Sequence, residues 1–290
     1  MLLHSDPEFN RLLERSLSVT DVGAADATAI AGAGTRIPPD DVGSWERYWR
    51  HEGARCLDRA DQRLAADDAS GAGRSLLCAS WAYGLAAHFY RSDPAAEMWQ
   101  ANRRSQVSAF RAAIPLLPNE CEPIAVSGRM GPLHGYLLGQ ATDTCLLIPT
   151  GADSTAEDGY AHFASAAACA GVRSLVVDVP VGNDSDMIDT AMNWLGPRAP
   201  VVFVLGWGAM TLRTLVAVQH RDDLGGIVCC PDPADAASVG ALIPTLSYPT
   251  VLLPPGSSVR SVFSWLPDQV ISSSSRKTQA WSTSSTTTGE

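Results

Sequence analysis

The apolar positions change their period once along the chain, near Cys121. Before that point they recur at helical spacing. Trp45, Tyr48, Trp49 and Cys56 form one such series behind Ser44, a residue suited to cap a helix. A loop is expected at Ser70-Gly71-Ala72-Gly73. Leu76, Leu77, Trp81 and Tyr83 then mark a second helix that runs to about Tyr90. Pro94 opens a third, carrying Met98, Val107, Phe110 and Ile114, and Pro115 and Pro118 close the block.

After Cys121 the pattern becomes that of strands. Glu122–Val126 and Pro132–Leu138 predict a hairpin around Gly128–Gly131. Short apolar runs follow at Cys145–Ile148, Ser174–Val177, Val201–Leu205, Gly226–Cys230 and Thr250–Leu253. Helical patterns separate them at Glu157–Ala170, Ser185–Leu195 and Met210–Gln219. Continuous apolar strands alternating with helices predict a mostly parallel sheet covered on both faces, an α/β protein.

The two ends differ from both blocks. Residues 1–40 are rich in Ala, Gly, Asp and Thr and are expected to be loosely ordered. Ser272–Ser275 and Ser282–Thr288 are polar low-complexity runs, so residues 272–290 are expected to be disordered.

Composition narrows the partners. The chain has 290 residues and a net charge of −10, with no dense Lys/Arg stripe, which argues against nucleic-acid binding. Hydrophobic residues make up 46%, enough to fill a large core. No run approaches the ~18 apolar residues of a membrane span, and the N-terminal residues lack a signal-peptide pattern. The seven cysteines include no Cys-x-x-Cys pair, so reduced thiols in the cytoplasm are expected. No cluster has metal-ligand spacing, and no phosphate-cradling loop is present, so no metal and no cofactor is expected.

Particular residues carry a resemblance. Trp45-Glu46-Arg47-Tyr48-Trp49, Ala54, Ser75 through Tyr90, Asp93-Pro94 and Ser108 through Ala113 resemble a helical cap. That cap precedes the core in the 2,6-dihydroxypseudooxynicotine hydrolase and fermentation–respiration switch group of α/β hydrolases. Ile148-Pro149-Thr150-Gly151-Ala152-Asp153, with Glu157 and Tyr160, is similar to the group's loop after its third strand. Asp178-Val179-Pro180-Val181-Gly182 is similar to its Asp-x-Pro-Gly loop. The resemblance spans roughly residues 40–255 and implies a lead-in at 1–40, a helical cap at 41–118, a C-terminally trimmed α/β-hydrolase-like core at 119–271 and a polar tail at 272–290. It also implies a ligand cleft between cap and sheet.

The same resemblance exposes missing chemistry. The nucleophile motif Gly-x-Ser-x-Gly falls on Gly206-Trp207-Gly208-Ala209-Met210, so Gly208 stands where serine would attack. Ser258 falls at the position of the acid, and no histidine follows His220. The resemblance leaves backbone N–H groups of Ala152 and Ala209 as an oxyanion-hole-like pair.

Trp207 is a candidate to line the cleft, or else it fills the space of the absent histidine. His88, Tyr83 and Tyr90 are further cleft candidates on a cap helix, with core packing as the plainer reading. Cys229 and Cys230 end a strand; buried structural thiols are the plainer reading there. Asp153 and Asp178 read as loop caps, while Asp232 and Asp235 follow the sixth strand, where some α/β hydrolases carry the acid.

The expected function is a non-hydrolytic homologue, a pseudoenzyme that binds a small apolar or aromatic molecule, with a homodimer compatible with it. One alternative is a cofactor-free cyclase, dehydratase or pericyclase of secondary metabolism. A second is a hydrolase of ester or carbon–carbon bonds with displaced catalytic residues.

Overall fold

The computed structural model describes residues 2–129, 131–151, 153–165, 167, 171–179, 182 and 184–253. Ala152, Ser258 and the tail at 272–290 therefore lie outside the described residues. The chain forms two compact units. One holds the chain up to Glu122 together with Glu157–Ser165, and the other holds Pro123–Ala156 and the described chain after Ser165.

The helical unit contains α1 (Pro7–Leu17), α2 (Ala27–Arg36), α3 (Val42–Ala65), α4 (Ala69–Ala87) and α5 (Glu97–Ala113), with short 3-10 turns at His88–Tyr90 and Ile114–Leu116. Residues 1–40 depart from the loose chain expected of them. Their aspartates act as helix caps: Asp6 accepts from the N–H groups of Glu8 and Phe9, and Asp26 from those of Thr28 and Ala29. Phe9, Leu12 and Leu13 are buried, and Phe9 packs 4.5 Å from Trp45 between ring centroids. Composition misled because capping aspartates and loop aspartates look alike in a sequence.

The next two boundaries also moved. Helix α3 is capped by Asp41, whose side chain accepts from the backbone N–H of Ser44, so it begins before Ser44. Helix α4 runs through Ser70-Gly71-Ala72-Gly73, the expected loop, because Asp68 caps it by accepting from the Gly71 N–H.

The second unit is a seven-stranded sheet in the order β1-β2-β4-β3-β5-β6-β7. The strands are β1 (Cys121–Gly128), β2 (Gly131–Leu138), β3 (Thr144–Thr150), β4 (Arg173–Asp178), β5 (Val201–Gly208), β6 (Leu224–Pro231) and β7 (Thr250–Leu252). β2 runs antiparallel to β4, and the pairs β3–β4, β3–β5, β5–β6 and β6–β7 are parallel. Every residue of β6 is buried, as are the first six of β5, which accounts for the unbroken apolar runs.

Three helices come from this part of the chain in full: α7 (Asp184–Leu195), α8 (Met210–Val218) and α9 (Ala236–Leu242). Met187, Ile188, Ala191 and Leu195 of α7 join Leu215 and Val218 of α8 in one core with Leu147, Val177 and Val204 of the sheet. The segment after β3 starts as the short helix α6 (Ala156–Gly159) and continues as a π-helical turn, Tyr160–Ala164.

Candidate functional site at the strand ends

The central parallel strands β3, β5 and β6 lie side by side and end together. In open α/β sheets ligands bind at such carboxyl ends. Strand β5 stops at Gly208, Ala209 follows, and α8 starts at Met210. Gly208 has φ of +54°, a left-handed conformation that glycine enters freely and serine enters at some cost. A sharp strand-to-helix turn therefore stands at Gly208, with no side chain on it. Ala209 sits at the positive end of α8, where backbone N–H groups favour negative charge.

Two carboxylates converge on this turn. A Cβ added at Gly208 would stand 3.6 Å from Oδ1 of Asp232 and 3.8 Å from Oδ2 of Asp153. Asp232 follows β6 and Asp153 follows β3, and those two strands flank β5. Sequence reasoning had singled out both residues separately. The signal for pairing them was the strand order, since loops after the two neighbours of β5 must meet over its end. Carboxylates at this point can accept hydrogen bonds and exchange protons, so the arrangement suits proton transfer or binding of a hydrogen-bond donor.

Asp178, by contrast, caps a loop as read from the sequence. Its Oδ1 accepts from the Ala156 N–H at 2.7 Å and from the Thr150 hydroxyl at 3.1 Å. This ties the chain after β3 to the end of β4. Gly151 is needed beside it: its φ is +154°, and a Cβ there would stand 2.3 Å from the Val179 carbonyl oxygen.

Trp207 is half-buried in β5 and stands opposite Cys230 in the pairing with β6. Cys229 is fully buried, and burial pushes its thiol up to about 12, so it is a protonated core residue. The helical candidates sit in the other unit. Tyr83 is buried against Gly53 of α3, and burial raises its pKa. His88 lies 3.8 Å from Glu8. Burial, followed by the charges of Arg91, Arg15 and Arg11, pushes its pKa down to about 3. Tyr90 is half-buried at the end of its 3-10 turn.

The sequence also gave no warning of His162, on the π-helical turn. It is buried, its Nε2 accepts from the Arg15 guanidinium at 3.0 Å, and its ring lies edge-on to Trp81. Burial and then Arg15 lower its pKa well below the usual histidine range. Among the described residues no group of three or more His, Cys, Asp or Glu is placed to hold a metal ion. Among them, too, no helix is long and apolar enough to cross a membrane.

No protein-family model matches this sequence, and no curated protein matches it. Solved structures do. A 2,6-dihydroxy-pseudo-oxynicotine hydrolase is similar with a TM-score of 0.62 and 16% identity, over 86% of this chain and 85% of that one. AbyA5 is similar with a TM-score of 0.50 and 17% identity, over 84% of this chain and 73% of that one. The strand order and these likenesses agree: the chain has the α/β-hydrolase fold, with helices ahead of the sheet. At such identities the likeness extends to the fold alone.

Proposed function

We propose that this chain is a non-hydrolytic protein of the α/β-hydrolase fold that binds a small apolar or aromatic molecule at the strand ends beside Trp207 and Gly208. Gly208 carries this reading. It holds the left-handed turn at the end of β5 and brings no atom that can attack a carbonyl. Trp207, next in the chain, is half-buried and carries the kind of aromatic ring that lines small-molecule pockets.

The purified protein should not be labelled by a fluorophosphonate probe, and should not turn over p-nitrophenyl acetate or butyrate above buffer. Gly208→Ser should fold at a cost of about 1 kcal/mol and still lack activity, because residues 221–290 hold no histidine to serve as base. Stoichiometric labelling of any serine would overturn the non-hydrolytic reading. Neutral aromatic compounds should raise the melting temperature, and Trp207→Ala should remove that rise. A panel without effect would overturn the binding reading.

A second reading rests on the converging carboxylates. Asp153 and Asp232 are placed to pass protons at one point, the requirement of a cofactor-free dehydratase or cyclase. On that reading Asp232→Asn abolishes turnover of a bound hydroxylated compound and leaves its binding intact. Equal loss of both favours a plain binder.

A further inference from the structure

A small cavity lies inside the helical unit. Its wall includes Ser80 and Trp81 of α4, Phe110 of α5, and Glu157, Asp158 and Tyr160 of the segment that returns to this unit after β3. Every residue on the wall is buried. The cavity leaves about 10 Å³ for the centre of a water molecule, the space that one water needs.

Ser80 differs from its neighbours in kind. It is 3% exposed, and its Oγ is buried with no hydrogen-bond partner among the described residues. Two other buried helical serines show the usual solution. Ser16 donates to the Leu12 carbonyl at 2.8 Å and Ser75 to the Gly71 carbonyl at 3.0 Å, each one turn back. Ser80 makes no such bond. A buried hydroxyl left in that state opposes folding, so this one calls for a partner from the cavity that it lines.

The carboxylates on the wall set the charge of that partner. Arg103 donates to Glu157, Gln106 donates to Asp158 at 3.3 Å, and Arg91 stands 3.9 Å from Asp158. Two carboxylates against two guanidinium groups carry no net charge, so a cation gains little here for the hydration it gives up. A carboxylate has about four acceptor sites and takes several donors at once. The surroundings therefore suit a neutral species of one heavy atom that both accepts and donates.

We propose that this cavity is a binding site for a single water molecule, which accepts from the Ser80 hydroxyl and donates to the carboxylates of Glu157 and Asp158. Three polar partners are what a buried water ordinarily has. The water joins the middle of α4 to the start of the returning segment, two stretches far apart in sequence.

The full native chain is crystallised to test this, and its melting temperature is compared with that of Ser80→Ala. The expected density is an ordered water at about 2.7–3.2 Å from Ser80 Oγ and from a carboxylate oxygen of Glu157 or Asp158. An empty cavity overturns the proposal, as does a Ser80 hydroxyl turned to the Leu76 carbonyl. An anomalous peak in the cavity after a rubidium soak would mark a cation and also overturns it. In solution the sign of the shift decides. Ser80→Ala takes a partner from the water, so the melting temperature falls by several degrees although alanine is the better helix former. A hydroxyl that was merely unsatisfied would be a relief to lose, so an unchanged or raised melting temperature overturns the proposal. If Ser80→Ala does not fold, the density in the native crystals decides alone.

Discussion

Asp232 and Asp153 meet at one point in space: Oδ1 of the first and Oδ2 of the second both lie within 4 Å of where a side chain on residue 208 would begin. A third carboxylate placed there must feel both. Gly208→Asp and Gly208→Asn share the cost of a side chain at φ +54°, so that cost cancels between them. Gly208→Asp should be the less stable by about 1–2 kcal/mol at neutral pH. Like charges raise the folded-state pKa of the new group above its unfolded value near ~3.9. The deficit is therefore full above the folded pKa and fades as pH falls toward the unfolded one. Urea unfolding at several pH values measures it, and equal stability at neutral pH would mean the carboxylates are not where they are described.

Gly151→Ala should be severe. The new Cβ would stand 2.3 Å from a backbone oxygen of Val179, a group held in place because the Val179 N–H donates to Thr150 at 2.7 Å. A loss of about 3 kcal/mol is expected. Gly171→Ala is the control: φ is +73° with nothing within 4 Å of the added atom, so it should cost only about 1 kcal/mol. Similar losses at the two positions would remove the steric argument for Gly151.

His88 should make stability depend on pH in a window where carboxylates are silent. Its folded pKa is about 3, against ~6.5 when unfolded. Below ~6.5 the unfolded chain takes a proton that the folded chain refuses, so stability is full above that pH and declines as pH falls toward 3. His162, also lowered, adds in the same direction. Melting temperature should therefore fall between pH ~6.5 and ~5. His88→Gln should flatten the slope. An unchanged slope in the variant would show that His88 is protonated in the folded protein.

Most of the sheet could be read from the sequence because burial on both faces writes an unbroken apolar run. Val201–Leu205 and Gly226–Cys230 need no long-range information to be recognised as strands. Gly208 was legible for a similar reason, since the strand before it and the helix after it bracket the turn. What stayed hidden depended on pairing at a distance. Asp6 reads as a loop residue until Asp40 and the first turn of α1 are seen to share its two oxygens. His162 and Arg15 are 147 positions apart, and nothing local marks either as a partner.

The helical unit is interrupted in the chain, and that sets an order of assembly during synthesis. Helix α1 is made first, and Ser16 accepts from Trp81 at 3.0 Å once α4 has emerged. The Arg15 partner on the π-helical turn arrives 147 residues after Arg15 itself. At ~5–20 residues per second the ribosome needs roughly 7–30 s to deliver it. From its own synthesis until His162 follows, the Trp81 ring lacks the edge that covers it in the finished protein. The nascent helices must therefore persist half-built while β1, β2 and β3 are threaded out behind them, and the unit that begins first is completed only after part of the sheet exists.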